Sequence, residues 1–547
     1  MPSMNNQGAV PASIHRFPPK LLDVIFRKLV LIAGDAFVES MRAPSCLAVT
    51  QVCRKWRQVA YHCSDIWTDI PLQSKEWTRI ALERSRPQPI TVRWCSASSR
   101  ARDPGVALTL DINTLGYVLD ELPRIRVLWL HVDEHRWKSI IDVVLDAFKY
   151  QSASVMDTLT IEIVSPGGVR KLKNLPPTVR SLRMMGLSLP VRAFKGHKQL
   201  RSLSLERCTI FQGAGEFMAT LRDLPQLEYL LIGSEVLPDG SFYEGPTEFL
   251  DKYGRHRQVS LPNLRSLTMY GDPLEVDLAL RLLHIPLSCA IILHYEDVLE
   301  SDDPDDTDAL AIVATLNDYY SRAGDEPVAF EHVLIAENRG RQLPEHHISA
   351  TRPRSSQHSP GRMYLDIPWP KDQALEYTTD LLISLSVISE AKCLTVVNLT
   401  AFGRQEWVYI GECMEDVKKI VLKCSNGSKR ALAAFLALKA AISSSRSVFP
   451  KLHCLVVELH NGRTAVDGDG GAGSSPVTEK GTIWRQAGCP VETTLKISLS
   501  KPFSERNSQV GIPRSYEEMS ESLHNNTCIA YESDNAETEC LLPDDEF

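Results

Sequence analysis

The 547-residue chain reads as an α/β protein: a small all-helical N-terminal unit, then a long array of short parallel strands with helices or loops returning along the convex side. Two observations predict this. An apolar-x-x-apolar-x-apolar pattern recurs through most of the chain, and the first 86 residues lack it, carrying amphipathic stretches at helical spacing instead. Composition sets the frame, since 43% hydrophobic and 23% charged residues are the balance of a folded chain. The net charge of -8 lacks the basic footprint that a dedicated nucleic-acid binder needs, so protein partners are expected.

Residues 1–13 carry no helical or strand pattern and are expected to be disordered. In the unit spanning 14–86, Leu21, Leu22, Ile25, Phe26 and Leu29 fall at helical spacing behind Pro18 and Pro19, which suit a helix start. A second stripe, Leu47, Val49, Val52, Cys53, Trp56, Val59 and Ala60, predicts another short helix. A third helical piece is expected around Glu76 to Ser85, before the apolar strand Ile90 to Trp94. Residues 14–94 hold 13 Lys and Arg against 7 Asp and Glu, a net +6 inside an acidic chain, which suits an acidic partner.

The ordered set Phe-Pro-x-x-Leu-Leu-x-x-Ile-Phe (17–26), Val-Cys-Arg-Lys-Trp-Arg (52–57) and Ile66-Trp67 resembles the F-box. The continuation ALERSRPQPITV (81–92) is similar to F-box proteins expanded in mushroom-forming fungi. The likeness covers about 80 residues. It departs from the usual pattern in a longer segment between the first two helices (Val30 to Cys46) and in Phe17, where leucine is usual. The resemblance implies docking to the Skp adaptor of a cullin-RING ubiquitin ligase, the SCF complex. The implied adaptor-binding residues are Phe17, Pro18, Leu21, Leu22, Ile25, Phe26, Leu29, Leu47, Val52, Cys53, Trp56 and Trp67. It also implies a non-catalytic subunit without a cofactor. A repeat scaffold that binds a partner without ubiquitylation is the alternative reading.

The recurring pattern appears as 125–130, 156–161, 179–184, 200–205, 227–232 and 264–269, with fainter copies at 330–335, 391–396, 417–422 and 452–457. Each reads as one strand, several preceded by a proline (Pro123, Pro225, Pro262) where no ladder donor is lost. The middle leucines 128, 159, 182, 203, 230 and 267 are 31, 23, 21, 27 and 37 residues apart, straddling the period of leucine-rich repeats. One strand and its return segment cannot bury their own apolar residues, so stacked copies must share a core. Residues 90–500 are therefore expected to form a divergent leucine-rich-repeat-like solenoid. The Ala- and Leu-rich stretch Lys429 to Ser443 is its clearest helix.

Polar, acidic or Gly/Ser-rich stretches near 300–310, 345–362 and 463–482 read as mobile insertions, and 501–547 as a mostly disordered acidic tail. The N-terminus shows no signal-peptide pattern and no segment keeps 18 apolar residues in a row, so neither secretion nor a membrane span is expected. Thirteen scattered cysteines without a C-x-x-C pair suit reduced thiols in the cytoplasm or nucleus.

The search for catalytic patterns returns little. Asp303 to Asp308 has a proline inside it and lacks the turn glycine and distal glutamate of a calcium loop. His131 and His135 stand four apart without the H-E-x-x-H order, and Gly468 to Gly473 lacks the Lys-Ser/Thr of a P-loop. Neither Cys53 nor Cys413 stands in a motif with a histidine base. No metal ligand or catalytic residue is assigned. In stacked strands the residues alternating with the buried leucines line the opposite face, which gives Trp129, Thr160, Arg183, Glu206, Tyr229 and Tyr270 as candidate contacts for an unknown client protein.

Overall fold

In the computed structural model the described residues are 17–40, 45–70, 72, 74–95, 112–132, 137–163, 172, 174–208, 210–233, 236, 259–271, 273–295, 308–321, 330–338, 345–351, 362–368, 374–397, 402–424, 428–445, 447–460, 477–484 and 490–498. The expected N-terminal disorder, the acidic run 302–307, the Gly-rich tract and the acidic tail lie outside them.

The chain opens with α1 (Pro19–Ser40), α2 (Ser45–Val52) and α3 (Arg54–His62). Helix α1 begins where the prolines place it, with the amides of Leu21 and Leu22 donating to the Pro18 carbonyl at 3.0 and 3.1 Å. The second apolar stripe forms two helices instead of one. Cys53 takes an extended conformation between them, and its Sγ accepts a hydrogen bond from the Trp56 amide at 3.5 Å, capping α3. A 3-10 turn (Ser64–Trp67), strand β1 (Asp69–Ile70) and helix α4 (Lys75–Arg84) follow. The unit is thus not purely helical, because β1 pairs in parallel with β2 (Ile90–Cys95) and starts the sheet.

From β2 onward the strands are β3 (Ile125–Val132), β4 (Thr158–Ile163), β5 (Ser181–Met185), β6 (Ser202–Glu206), β7 (Tyr229–Ile232), β8 (Val259–Ser260), β9 (Ser266–Gly271), β10 (Leu283–His284) and β11 (Ala290–Tyr295). They continue as β12 (His332–Asn338), β13 (Glu345–Thr351), β14 (Arg362–Pro368), β15 (Cys393–Val397), β16 (Lys419–Cys424), β17 (Cys454–His460), β18 (Val477–Trp484) and β19 (Pro490–Ser498). Between them lie α5 (Ile112–Leu119), α6 (Trp137–Tyr150), α7 (Ala214–Arg222), α8 (Pro273–Leu282), α9 (Asp308–Ser321), α10 (Ala374–Ser384), α11 (Arg404–Cys413) and α12 (Ser428–Ser444).

Seventeen of these strands form one mostly parallel sheet; β8 and β10 pair separately. Pairing runs β1 to β7 in chain order, then β9 and β11. All ten copies of the repeated pattern are strands in it. The order then reverses: β11 pairs with β14, β14 with antiparallel β13, β13 with β12, and β12 in parallel with β15. A three-stranded meander therefore stands where one parallel strand would continue the array, and β15, β16, β17 and β19 resume it. Residues 345–351 and 477–482, expected within mobile insertions, are strand: β13 completes the meander and β18 folds back on β19. Their unpaired backbone groups are satisfied by antiparallel neighbours, a device with no signature in the parallel repeat.

The register explains the leucine period. Leu128, Leu159, Leu182, Leu203, Leu230, Leu267 and Ile291 stand side by side across seven strands and are all at most 2% exposed. Burying each such side chain stabilises the array by about 1.5–3 kcal/mol relative to exposure, and only a stacked neighbour can provide that cover. One apolar core runs from Leu22 to Val491, and successive helices α8 to α12 contact one another along it. The helical start belongs to the same core. Trp67 is buried with Nε1 donating to the Ala60 carbonyl at 2.8 Å, and Arg124 at the entry to β3 donates to Ser85 Oγ (2.9 Å) and the Gln88 carbonyl (3.0 Å) beyond α4.

Candidate functional site

Two surfaces gather the residues the sequence singles out. On the first, α1 and α2 divide their apolar residues between two faces. Leu22 and Phe26 are fully buried, Phe26 packing 5.0 Å from the half-buried Trp56 ring, and Trp67 is buried beneath α3. These three side chains are covered by the chain itself and pack the helices together. Ile25 and Cys53 are half-buried. Phe17, Pro18, Leu21, Leu29 and Val52 are exposed, Leu21 at 44% and Val52 at 51%. The Leu47 side chain lies outside the described set. Val24, 53% exposed, extends the exposed apolar group and is absent from the motif because the pattern leaves that position open. Arg27 bridges Asp23 (2.9 Å) and Asp65 (2.6 Å), fixing α1 against the turn after α3.

The second surface is the sheet face opposite the leucines. In register, Trp129, Thr160, Arg183 and Ser204 form one row, and His131, Glu162, Met185 and Glu206 the next. All six client candidates lie on this face, as the alternation requires. They are not a uniformly solvated row, however. Thr160 is 7% exposed and belongs to the floor, and Trp129, Arg183, Glu206, Tyr229 and Tyr270 are only half-buried. Arg183 Nε lies 2.7 Å from Glu162 Oε1, and Nη2 lies 3.2 Å from Glu206 Oε1. Glu162, itself buried, also meets His131 Nδ1 at 2.9 Å. Four strands are thus laced by a His–Glu–Arg–Glu chain.

Farther along the same face Tyr270 stacks on His294 (4.3 Å between ring centroids, 8° between planes), and His294 faces Tyr364 at 5.6 Å. Sequence reasoning weighed His131 only as a metal ligand and missed Glu162, because it took one outward residue per strand, although both stand two positions beyond chosen ones. It missed His294 and Tyr364 because β11 and β14 do not carry the repeat.

Among the described residues no three His, Cys, Asp or Glu side chains are placed to hold a metal ion, and no helix is long and apolar enough to cross a membrane. Burial pushes the Cys208 and Cys289 thiols up to about 11 and about 12. The chain matches no protein-family model and no curated protein.

Proposed function

We propose that the chain is the substrate-receptor subunit of an SCF-type cullin-RING ubiquitin ligase, acting in the cytoplasm or nucleus. Its N-terminal helices serve as an F-box that docks to the Skp adaptor. Its sheet is a divergent leucine-rich-repeat-like solenoid whose open face holds a client protein. Such a subunit does no bond chemistry; it raises the effective concentration of the client beside the ubiquitin-charged enzyme. The observation that carries this reading is the ordered motif of residues 17–67 together with the apolar side chains that α1 and α2 leave exposed (Leu21, Val24, Leu29, Val52). Apolar groups concentrated on one small helical unit mark a docking surface, and the net +6 of residues 14–94 suits an acidic adaptor.

Leu21→Asp combined with Val52→Asp tests the assignment. Both side chains are exposed, so folding should change by no more than about 0.5 kcal/mol, whereas a charge placed in a packed interface costs several kcal/mol of binding. Capture of the purified Skp adaptor by the full chain should fall at least about hundredfold. Undiminished capture by the folded double variant would overturn the docking assignment.

A further inference from the structure

The antiparallel meander changes more than the order of the strands. Through it, Arg362 (β14), Thr351 (β13), His332 (β12), Cys393 (β15), Lys419 (β16) and Cys454 (β17) fall into one register row across six neighbouring strands. The residues next to them along each strand, from Met363 to Leu455, are buried on the leucine side, so alternation puts the row on the opposite, open face, where all six are half-buried. Arg362 and Lys419 form no ion pair and no side-chain hydrogen bond among the described residues. Elsewhere on this face half-buried cations are answered: Arg183 lies between Glu162 and Glu206, and Lys423 Nζ is 3.4 Å from Glu458 Oε2. Burial pushes the His332 imidazole below its ordinary value, and Lys419 and Lys392 lower it further against the opposing Glu331. The ring thus stands in the field of those lysines, and the nearby Glu331 carboxylate is engaged by Lys392 at 3.6 Å.

The spacing selects the partner. Arg362, His332 and Lys419 stand on every second strand, about 9.6 Å apart at the usual strand separation, with the short side chains of Thr351 and Cys393 between them. A polyproline II segment has three residues per turn and rises about 3.1 Å per residue, so every third side chain returns to one face after about 9.3 Å. In a β-strand, by contrast, residues three apart point to opposite faces. We propose that this row binds an acidic segment of the client in the polyproline II conformation, with Asp or Glu at every third position answering Arg362, His332 and Lys419 in turn. Arg362 offers a carboxylate two parallel N–H groups, Lys419 a point charge and His332 an imidazole donor. Polyproline II suits such docking because the free segment already holds that shape and loses little entropy on binding. The assignment rests on the open face being the client surface, and it does not depend on adaptor docking.

Fluorescence anisotropy with labelled peptides and the purified full chain at low salt tests the assignment. Three Glu-Pro-Pro repeats place carboxylates at the required interval; a peptide of the same composition with its three glutamates adjacent, and three Lys-Pro-Pro repeats, are the controls. The glutamate repeat should bind at least about tenfold tighter than either control, and its affinity should fall as salt screens the charges. Arg362→Gln with Lys419→Gln should weaken it at least about tenfold while the thermal unfolding midpoint stays that of wild type. If that variant is misfolded, Arg362→Met with Lys419→Met, which keeps the packing of the apolar stems, takes its place. Arg362→Glu with Lys419→Glu should reverse the preference toward the lysine repeat, a gain that damage to folding does not produce. Equal affinity for the repeated and the adjacent glutamates, wild-type affinity in the folded neutral variant, or no saturable binding of the glutamate repeat would overturn the proposal. Peptide binding is read without the adaptor, so its failure leaves the docking test on Leu21 and Val52 standing, and failure of docking leaves this one.

Discussion

Arg183→Glu is expected to be strongly destabilising, although alternation along β5 marks this position as an outward one where substitution is nearly neutral. The guanidinium lies between two carboxylates, with side-chain exposures of 16% for Arg183, 6% for Glu162 and 23% for Glu206. All three are less than a third exposed, so water screens the pairs only in part. Removing one partner of such a buried arrangement leaves an uncompensated charge and costs about 3–5 kcal/mol. Glutamate adds repulsion by placing a third carboxylate between the other two. The expected loss is therefore at least about 3 kcal/mol, against about 0.5 kcal/mol for an ordinary surface change. Urea unfolding of the full chain measures it, with hydrogen exchange locating the loss at residues 158–163, 181–185 and 202–206. Arg183→Met with Glu162→Gln and Glu206→Gln should recover most of the stability, since replacing a whole buried charge group is often neutral. An Arg183→Glu chain within 0.5 kcal/mol of wild type would refute the claim that this network holds the four strands together.

Two further outcomes are expected. Gly186 follows β5 with φ +71° and its amide donating to the Glu206 carbonyl; a Cβ there would meet the Ile163 carbonyl oxygen at 2.7 Å, so Gly186→Ala should cost more than about 1 kcal/mol in thermal or urea unfolding. Burial lowers the pKa of His197 and His332, so in the folded chain both resist protonation more than in the unfolded one. The folded state then binds fewer protons, and stability is lost as the pH falls below the unfolded value of about 6.5 toward the lowered folded values. Urea midpoints at pH 7.5 and 5.5 should differ less in His197→Gln than in wild type, and an equal difference would count against the burial argument.

The parts of this molecule legible in the sequence are those where local chemistry and tertiary role agree. The strand pattern with its middle leucines finds ten strands because a stacked parallel array needs the same side of every strand apolar. The 17-residue helix Ser428–Ser444 is visible because alanine and leucine favour helix wherever they sit. The prolines at 18 and 19 mark the start of α1, but its end at Ser40 lies well beyond the apolar stripe that suggested it.

What the sequence alone determines is therefore the alternation: which residues face the core, and which share the other face. Whether that other face is open is decided only by tertiary structure, because burial depends on neighbours from strands 20 to 40 residues away. Thr160 and Glu162 become floor, Arg183 becomes a bridge instead of a free contact, and Leu22, Phe26 and Trp67 turn inward while Leu21 and Val52 stay outside. The reversal β11–β14–β13–β12–β15 is likewise a tertiary fact. An antiparallel meander and a parallel repeat satisfy the same backbone hydrogen bonds and bury the same alternating residues, so no local pattern separates them; only the pairing of the completed sheet does.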